Sequence, residues 1–395
     1  MNAEVDAVII GGGIQGLLIL EALQGRGYAT ALVTDGDVGG GQTLHSHGFL
    51  NTGMGMLGDA LQHASIDVVQ PYLRAHGVEP SGEWRVVPPP GFAAAAQAAP
   101  LPAGFEGPLA GTAVASPDRN VAKRRLVAAV SNGLMDRIIC GRASLEPRVA
   151  GTQRVTVRTT GGVDLVLGAR VVVVAAGCGT KRILEDFTGR TPQTEQIQHR
   201  RVHMICVRAP RGSLPVTSVL NMPAQMMLVA HEDADAVTWY VTPMEFGGPA
   251  FDDVPTDGES PVEAAMVARG FESLLQMYPR LPGVAGVQIG AYAGYRQDIG
   301  DLPAHPLCEP LAGVDTVVVA LPSGLLAPWL NAARVTELVA ARAQPSGNQT
   351  PLPEAGTGVR VGEPVEDRPG FRWLPIDEFA RRLTEAQPAS SSSAT

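Results

Sequence analysis

The feature that most constrains this chain is the run Gly11-Gly-Gly-Ile-Gln-Gly16, set between an apolar stretch at 5–10 (VDAVII) and the sequence LLILEALQGRG. Glycine loses more backbone freedom on folding than any other residue, so three at G-x-G-x-x-G spacing need a reason. Between a predicted strand and a predicted helix the reason is a dinucleotide turn. Gly11 permits the tight turn, Gly13 lets the backbone approach a pyrophosphate, and Gly16 lets the helix pack on the strand. The helix N-terminus, with Ile14 and Gln15 in its first turn, offers amide donors and a positive dipole end to the phosphates. Residues 29–34 (ATALVT) supply a second parallel strand that ends at Asp35. A carboxylate there accepts hydrogen bonds from an adenosine ribose and disfavours a 2′-phosphate, which selects FAD or NAD over NADP. The competing reading is a glycine-rich turn that holds no ligand.

Further along, residues 119–135 carry the pattern of an amphipathic helix, and VTVRTT with DLVLG reads as a hairpin. Residues 169–177 (ARVVVVAAG) form a continuous apolar run of the kind buried in a parallel sheet. Between 190 and 290, HMICVRA, MMLVAHE and VTWYVTP read as antiparallel strands, with a long helix at 261–278. Residues 314–321 (VDTVVVAL) return to the buried-strand pattern, and Pro322-Ser-Gly324 leads into a helix over 325–343. The Pro- and Ala-rich segment at 86–117 reads as a connection or an edge of a second domain, not as a regular strand. Beyond 345 one helix is expected, at 376–386, and residues 388–395 are expected to be disordered.

Composition narrows the partners. The chain of 395 residues is 45% hydrophobic and 17% charged, which fits a soluble globular enzyme of two domains. A formal net charge of -9 argues against nucleic acid or an anionic membrane as the main partner. The apolar run at 8–23 follows an acidic leader and is broken by glycines, unlike a secretory signal, and no stretch is long and apolar enough to span a membrane. Cys140, Cys178, Cys206 and Cys308 are far apart, without metal-like spacing, and read as reduced thiols of a cytoplasmic protein. The expected partner is a small-molecule substrate.

Three later segments carry a resemblance. VVVVAAG ending at Gly177, followed by Thr180, resembles the second flavin-contacting strand of the D-amino-acid oxidase and glycine/sarcosine oxidase superfamily. Gly294-Tyr-Arg-Gln-Asp-Ile-Gly-Asp-Leu-Pro303 is similar to that family's G-x-R-P-x-T-P-D-G-x-P segment. Arg296 and Asp301 keep the spacing, whereas Gln297 and Gly300 stand where prolines are usual. Leu321-Pro-Ser-Gly-Leu-Leu326 resembles the last strand-to-helix turn, beside the flavin ring. The resemblance spans 5–51, 169–181 and 290–342. It implies FAD and an α/β fold: a glutathione-reductase-like, Rossmann-type FAD-binding domain (1–80, 115–190 and 290–345) with a mixed or antiparallel-sheet substrate domain (81–114 and 191–289). Residues 346–395 are then a C-terminal extension. Reduced flavin carries negative charge near N1 and the C2 carbonyl, and amides at Gly324 and Leu325, opening a helix, would be aimed there. Ser144 is counted among the cofactor contacts.

Gly41-Gln-Thr-Leu-His-Ser-His-Gly48 is similar to the Gly-Thr-Thr-Trp-His segment of sarcosine and dimethylglycine dehydrogenases. That likeness places Gln42 and Thr43 at the cofactor and implies a covalent bond from His45 to the flavin 8α carbon. The alternatives are a neutral imidazole touching the flavin without a bond, or a structural histidine. The stretch from His45 to Gly53 also resembles L-2-hydroxyglutarate dehydrogenases, but Asn51 replaces their second, catalytic histidine. His47 is a proton-transfer candidate, expected to point the same way as His45 along an extended loop.

For the substrate, the resemblance implies that Arg296 holds a carboxylate, which a guanidinium does with two parallel bonds; the alternative is a surface arginine or an internal salt bridge. Tyr240, Tyr292 and Tyr295 are candidates for the pocket over the flavin, with Met244 and Glu245 behind them. Cys308 reads as an ordinary thiol. Neither Lys123 nor Lys181 falls where sarcosine oxidases keep their oxygen-activating lysine. Amine oxidation, hydroxy-acid oxidation, a flavin monooxygenase and a non-catalytic flavoprotein are the competing functions. Asn51 favours a C–N substrate, because alcohol oxidation needs a general base.

Overall fold

The computed structural model describes residues 2–50, 68–89, 98–106, 113–243, 250–251, 262–300, 307–322, 324–347 and 351–386. Asn51, Met244, Glu245, Asp301 and the C-terminal end at 388–395 lie outside the described residues.

The first sheet has a parallel core in the spatial order Ile138–Val149, Thr30–Thr34, Asn2–Ile10, Asp164–Val174 and Val314–Leu321. Leu307–Leu311 adds an antiparallel edge beside Val314–Leu321. Ile138–Val149 and Asp164–Val174 outrun the parallel core and join Thr152–Thr159 in an antiparallel meander. Alternation explains the Val171–Val174 run, which is fully buried. Val171 and Val173 face the helices Ile14–Gln24 and Ala327–Ala340, while Val172 and Val174 pack with Val155, Val157 and Leu167. Gln15 ties those two helices together: Asn331 Nδ2 donates to Gln15 Oε1 and to Leu321 O, both at 3.1 Å, and Gln15 Nε2 donates to Pro328 O at 3.3 Å.

The second sheet runs, in spatial order, through Leu374–Pro375, Gln288–Ile299, Ile197–Pro210, Ala236–Pro243, Met226–Glu232, Thr217–Asn221, Glu83–Val87 and Val114–Ser116. One face, with Ile205, Val207, Trp239 and Val241, packs on the helix Ala264–Met277 and on Phe379 of the helix Ile376–Ala386. The other face, with Met204, Cys206, Tyr240 and Tyr292, meets the loop that carries His45.

The strand content at 86–117 needs correction, and two further arrangements were not read from the sequence. Residues 290–299, assigned with the FAD-binding domain by family resemblance, pair antiparallel with Ile197–Pro210 in the second sheet. The segment at 86–117 does contain strand: Glu83–Val87 and Val114–Ser116 pair with each other, since the prolines fall outside the paired residues. The C-terminal extension adds the strand Leu374–Pro375 to the second sheet and hydrogen-bonds alongside the first. Gly356 N donates to Ile138 O at 2.8 Å and Gly362 N to Val38 O at 2.9 Å, and Leu374 pairs with Ile289.

Candidate functional site: a dinucleotide cleft

A cleft of about 670 Å³ opens at the C-terminal ends of the parallel strands, where ligands of such sheets bind. It is lined by Gly11, Gly13, Ile14, Gln15, Asp35, Gln42, Thr43, His45, Gly177, Tyr295 and Pro322, among others. The glycine turn has the geometry its spacing demands. Gly11 has φ +126, and a Cβ there would lie 2.3 Å from Ala175 O; a Cβ on Gly16 would lie 1.9 Å from Gly11 O. Ile14 N donates to Thr43 Oγ1 at 3.1 Å, so the glycine turn and the 41–43 segment form one wall. Gly177 closes the other side, where an added Cβ would meet Gln42 Oε1 at 3.1 Å. Asp35, exposed just past Thr34, stands at the rim.

His45 ends the short helix Gln42–His45 and borders the cleft. Its Nε2 is buried with no hydrogen-bond partner among the described residues, a polar atom left for a ligand. Burial, with Arg368 and Lys123 nearby, holds its pKa down to about 4, so the imidazole is neutral at pH 7. Gly294 of the strand Gln288–Ile299 lies beside it: a Cβ there would sit in ordinary contact, 3.5 Å from His45 Cβ. These features fit a bound flavin dinucleotide, which the glycine turn at Gly11–Gly16 and Thr43 would hold, with His45 bordering the same cleft.

His47 does not share that orientation, because the chain leaves a helical turn at Ser46 and does not alternate as an extended loop would. Its ring packs against Phe49 at 5.9 Å between centroids, away from the cleft. Burial holds its pKa to about 3, with Lys123, His231 and Arg296 adding to the effect.

Ser144 is exposed and faces Thr156 O across the hairpin; Gly141, Arg142 and Ala143 of the same strand reach the cleft instead. Gly324 and Leu325 do not line the cleft. Gly324 is an exposed turn residue with φ +74, and the helix opens only at Ala327, so it is Pro322 that borders the cavity. Tyr240 is buried behind the His45 loop, and its hydroxyl donates to Glu366. Tyr292 Oη donates to His45 O at 2.8 Å. Burial pushes the Cys308 thiol up to about 12, as suits an inert core cysteine.

Arg296 shares a strand face with Tyr292, Gly294 and Asp298. Its Nε and Nη2 lie 2.9 and 3.0 Å from the two carboxylate oxygens of Asp298, whose side chain is fully buried. Arg200, opposite Arg296 in register, approaches the same carboxylate at 2.7 Å. The internal ion pair therefore exists, with a second guanidinium beside it. Sequence reading missed Arg142, Lys181, Arg182 and Arg368, all cations on the cleft wall, and His199. Arg182 follows a recognised strand and was within reach of pattern reasoning; Arg142 lies on Ile138–Val149, a strand the sequence reading did not identify, and nothing in the sequence signals Arg368.

Among the described residues no group of His, Cys, Asp and Glu forms a metal site, and no helix is long and apolar enough to cross a membrane.

Over 48 residues the chain is 46% identical to the probable FAD-dependent oxidoreductase PA4991 of Pseudomonas aeruginosa, an alignment that spans 12% of each chain. The crystal structure of PA4991 matches with a TM-score of 0.69 at 22% identity, covering 92% of this chain and 98% of that one. Glycine oxidase from Geobacillus kaustophilus matches with a TM-score of 0.66 at 18% identity, covering 91% and 100%. L-proline dehydrogenase from P. horikoshii matches with a TM-score of 0.68 at 15% identity, covering 87% and 95%. At these identities the structures show a shared fold. The DAO family, described as FAD dependent oxidoreductase, matches residues 6–337. With that match over most of its length and a cleft shaped for the dinucleotide, the chain belongs to the DAO family of FAD-dependent oxidoreductases.

Proposed function

We propose that this oxidoreductase acts on the C–N bond of a small amine or amino acid that carries a carboxylate. The observation that carries the reading is the cluster of Arg296 and Arg200 around Asp298, on the strand face that sets Gly294 against His45. Arg296 presents a planar guanidinium beside this buried carboxylate, and a substrate carboxylate suits such planar donors. Bound FAD supplies the two-electron acceptor for the substrate's hydride. The chain orients the substrate through Arg296. His45 and His47, held near pKa 4 and 3, are weak bases at neutral pH. That favours an amine, which reacts in its deprotonated form, over a hydroxy acid, whose hydroxyl proton needs a stronger base. Solved neighbours named as glycine oxidase and L-proline dehydrogenase are in keeping with this class.

Within the same reading His45, neutral and with an unengaged Nε2, is the residue suited to a covalent bond with the flavin. Anaerobic mixing of the yellow protein with amino acids, N-methyl amino acids and 2-hydroxy acids separates the chemistries. Bleaching by a carboxylate-bearing amine is expected; bleaching by hydroxy acids alone refutes the assignment.

A further inference from the structure

Three consecutive backbone carbonyls of the His45 loop are each held by a side chain from a different element. Tyr292 Oη donates to His45 O at 2.8 Å, Lys123 Nζ to Ser46 O at 2.7 Å, and His231 Nε2 to His47 O at 2.8 Å. Of the three, Lys123 carries the charge. Its side chain is 5% exposed, and one hydrogen bond to a carbonyl does not compensate an ammonium for leaving water. The counter-charge is Glu366, 6% exposed, with Oε1 at 3.1 Å from Nζ. Glu366 is itself immobilised: Tyr240 donates to its carboxylate, and Trp373 Nε1 donates to its backbone carbonyl at 3.2 Å. The Tyr240 ring lies 4.3 Å from the ammonium. Glu366 belongs to the C-terminal extension, beyond the family match at 6–337. The same segment brings Arg368 to the cleft, where it donates to Gly40 O at 3.2 Å.

We propose that Glu366 is a positioning residue of the flavin site: it holds Lys123 as a charged donor to Ser46 O, and through that grip fixes His45 in the dinucleotide cleft. The interaction is local, and each link is a direct contact. Burial pushes the Lys123 ammonium towards neutrality, and Glu366, with smaller help from Asp367 and Cys206, opposes that. Losing Glu366 therefore discharges Lys123 and slackens its bond to the loop. His45, which feels the Lys123 and Arg368 charges, then titrates at higher pH. The inference rests on the FAD site and not on the identity of the substrate.

The test uses the full-length apoprotein and, as the probe, FAD lacking the 8-methyl group, which has no 8α carbon for His45 to join. E366Q keeps the side-chain size and E366D keeps the charge. K123M/E366L replaces the pair by apolar groups, which leaves no stranded charge and is often neutral for stability. Flavin retained after dialysis at graded probe concentrations reports affinity, NMR of labelled histidines reports the His45 titration, and thermal unfolding reports the fold. E366Q is expected to lose about tenfold in FAD affinity, the effect of one charge-assisted hydrogen bond, and to move the His45 titration upward. E366D is expected to stay within about threefold of the parent. The apolar pair is expected to unfold near the parental temperature yet keep the weakened affinity and the raised titration. Parental affinity and parental His45 titration in E366Q overturn the proposal. Should E366Q fail to fold, the same two values in the apolar pair decide it. No readout involves a substrate, so a silent substrate panel leaves this test intact.

Discussion

Substitution of Gly16 by alanine sets two opposed effects against each other. Alanine is better than glycine in a helix interior by about 1 kcal/mol, so propensity alone predicts a stabilised protein. The added Cβ, however, would stand 1.9 Å from Gly11 O, with Leu32 Cδ1 at 3.4 Å behind it. The obstacle is backbone, so no rotamer change relieves it. Reaching even the 3.0 Å below which real Cβ contacts essentially never fall requires the helix and the glycine turn to part by about 1.1 Å. Gly11 is tied on its other side, its N–H donating to Val33 O at 2.8 Å. Overpacking of this kind costs about 1–3 kcal/mol, which exceeds the propensity gain over most of that range. An ångström of separation also takes the helix amides out of hydrogen-bond range of a phosphate. Loss of one such charge-assisted bond weakens FAD binding by at least about tenfold. Urea unfolding of the apoprotein, and its titration with FAD lacking the 8-methyl group, which cannot be joined to His45, measure the two effects. Gly25→Ala is the control: that site has φ −59 and its nearest neighbour, Glu21 O, lies 3.4 Å from the added Cβ, so it is expected to be neutral or stabilising. A G16A protein that gains stability and binds FAD like the parent refutes the packing argument.

Four further outcomes are expected. Acid precipitation should leave yellow colour in the pellet, and His45→Ala should release it to the supernatant; colour that stays bound to H45A removes His45 as the linkage. Arg296→Lys should raise KM for a carboxylate-bearing amine much more than for its decarboxylated analogue, and an equal rise for both contradicts the carboxylate role. Arg368→Ala should weaken FAD binding and reduce its salt dependence, because one cation leaves the cleft; an unchanged salt slope in titrations from low to moderate ionic strength argues that Arg368 does not face the dinucleotide. Because the native pKa values of His45 and His47 lie below the ordinary 6.5, the unfolded chain binds more protons as pH falls. Their contribution to stability is full above about 6.5 and is lost as pH falls through the lowered values near 4 and 3. Urea midpoints at pH 7, 5.5 and 4.5 should show this decline, and H45N/H47N should flatten it.

Local rules made much of the first sheet legible. The turn at Gly11–Gly16, the strand at 314–321 and the helix at 376–386 follow from periodicity and glycine spacing, which act over a few residues. Where tertiary contacts decide, sequence reading fell short. Residues 288–299 hold a flavin-family segment, yet the strand hydrogen-bonds with Ile197–Pro210, because sheet membership depends on partners nearly a hundred residues away. Ser144 missed the cleft by one residue: the strand leaves the parallel core after Cys140 and carries Ser144 out along the hairpin. The Arg296–Asp298 pair was within reach, since residues two apart on a strand share a face. Lys123 and Glu366, 243 positions apart, gave no local sign of meeting.

The order of synthesis gives the built-in C-terminal segment a further meaning. A ribosome makes Val361, Glu366 and Arg368 long after the glycine turn and the His45 loop. Until those last residues settle across Val38 and Ile138, the wall beside the flavin lacks a side and Lys123 lacks its counter-ion. On the proposed role of Glu366, firm capture of the coenzyme waits until that segment has been made, and a product cut short before it has no way to hoard the flavin.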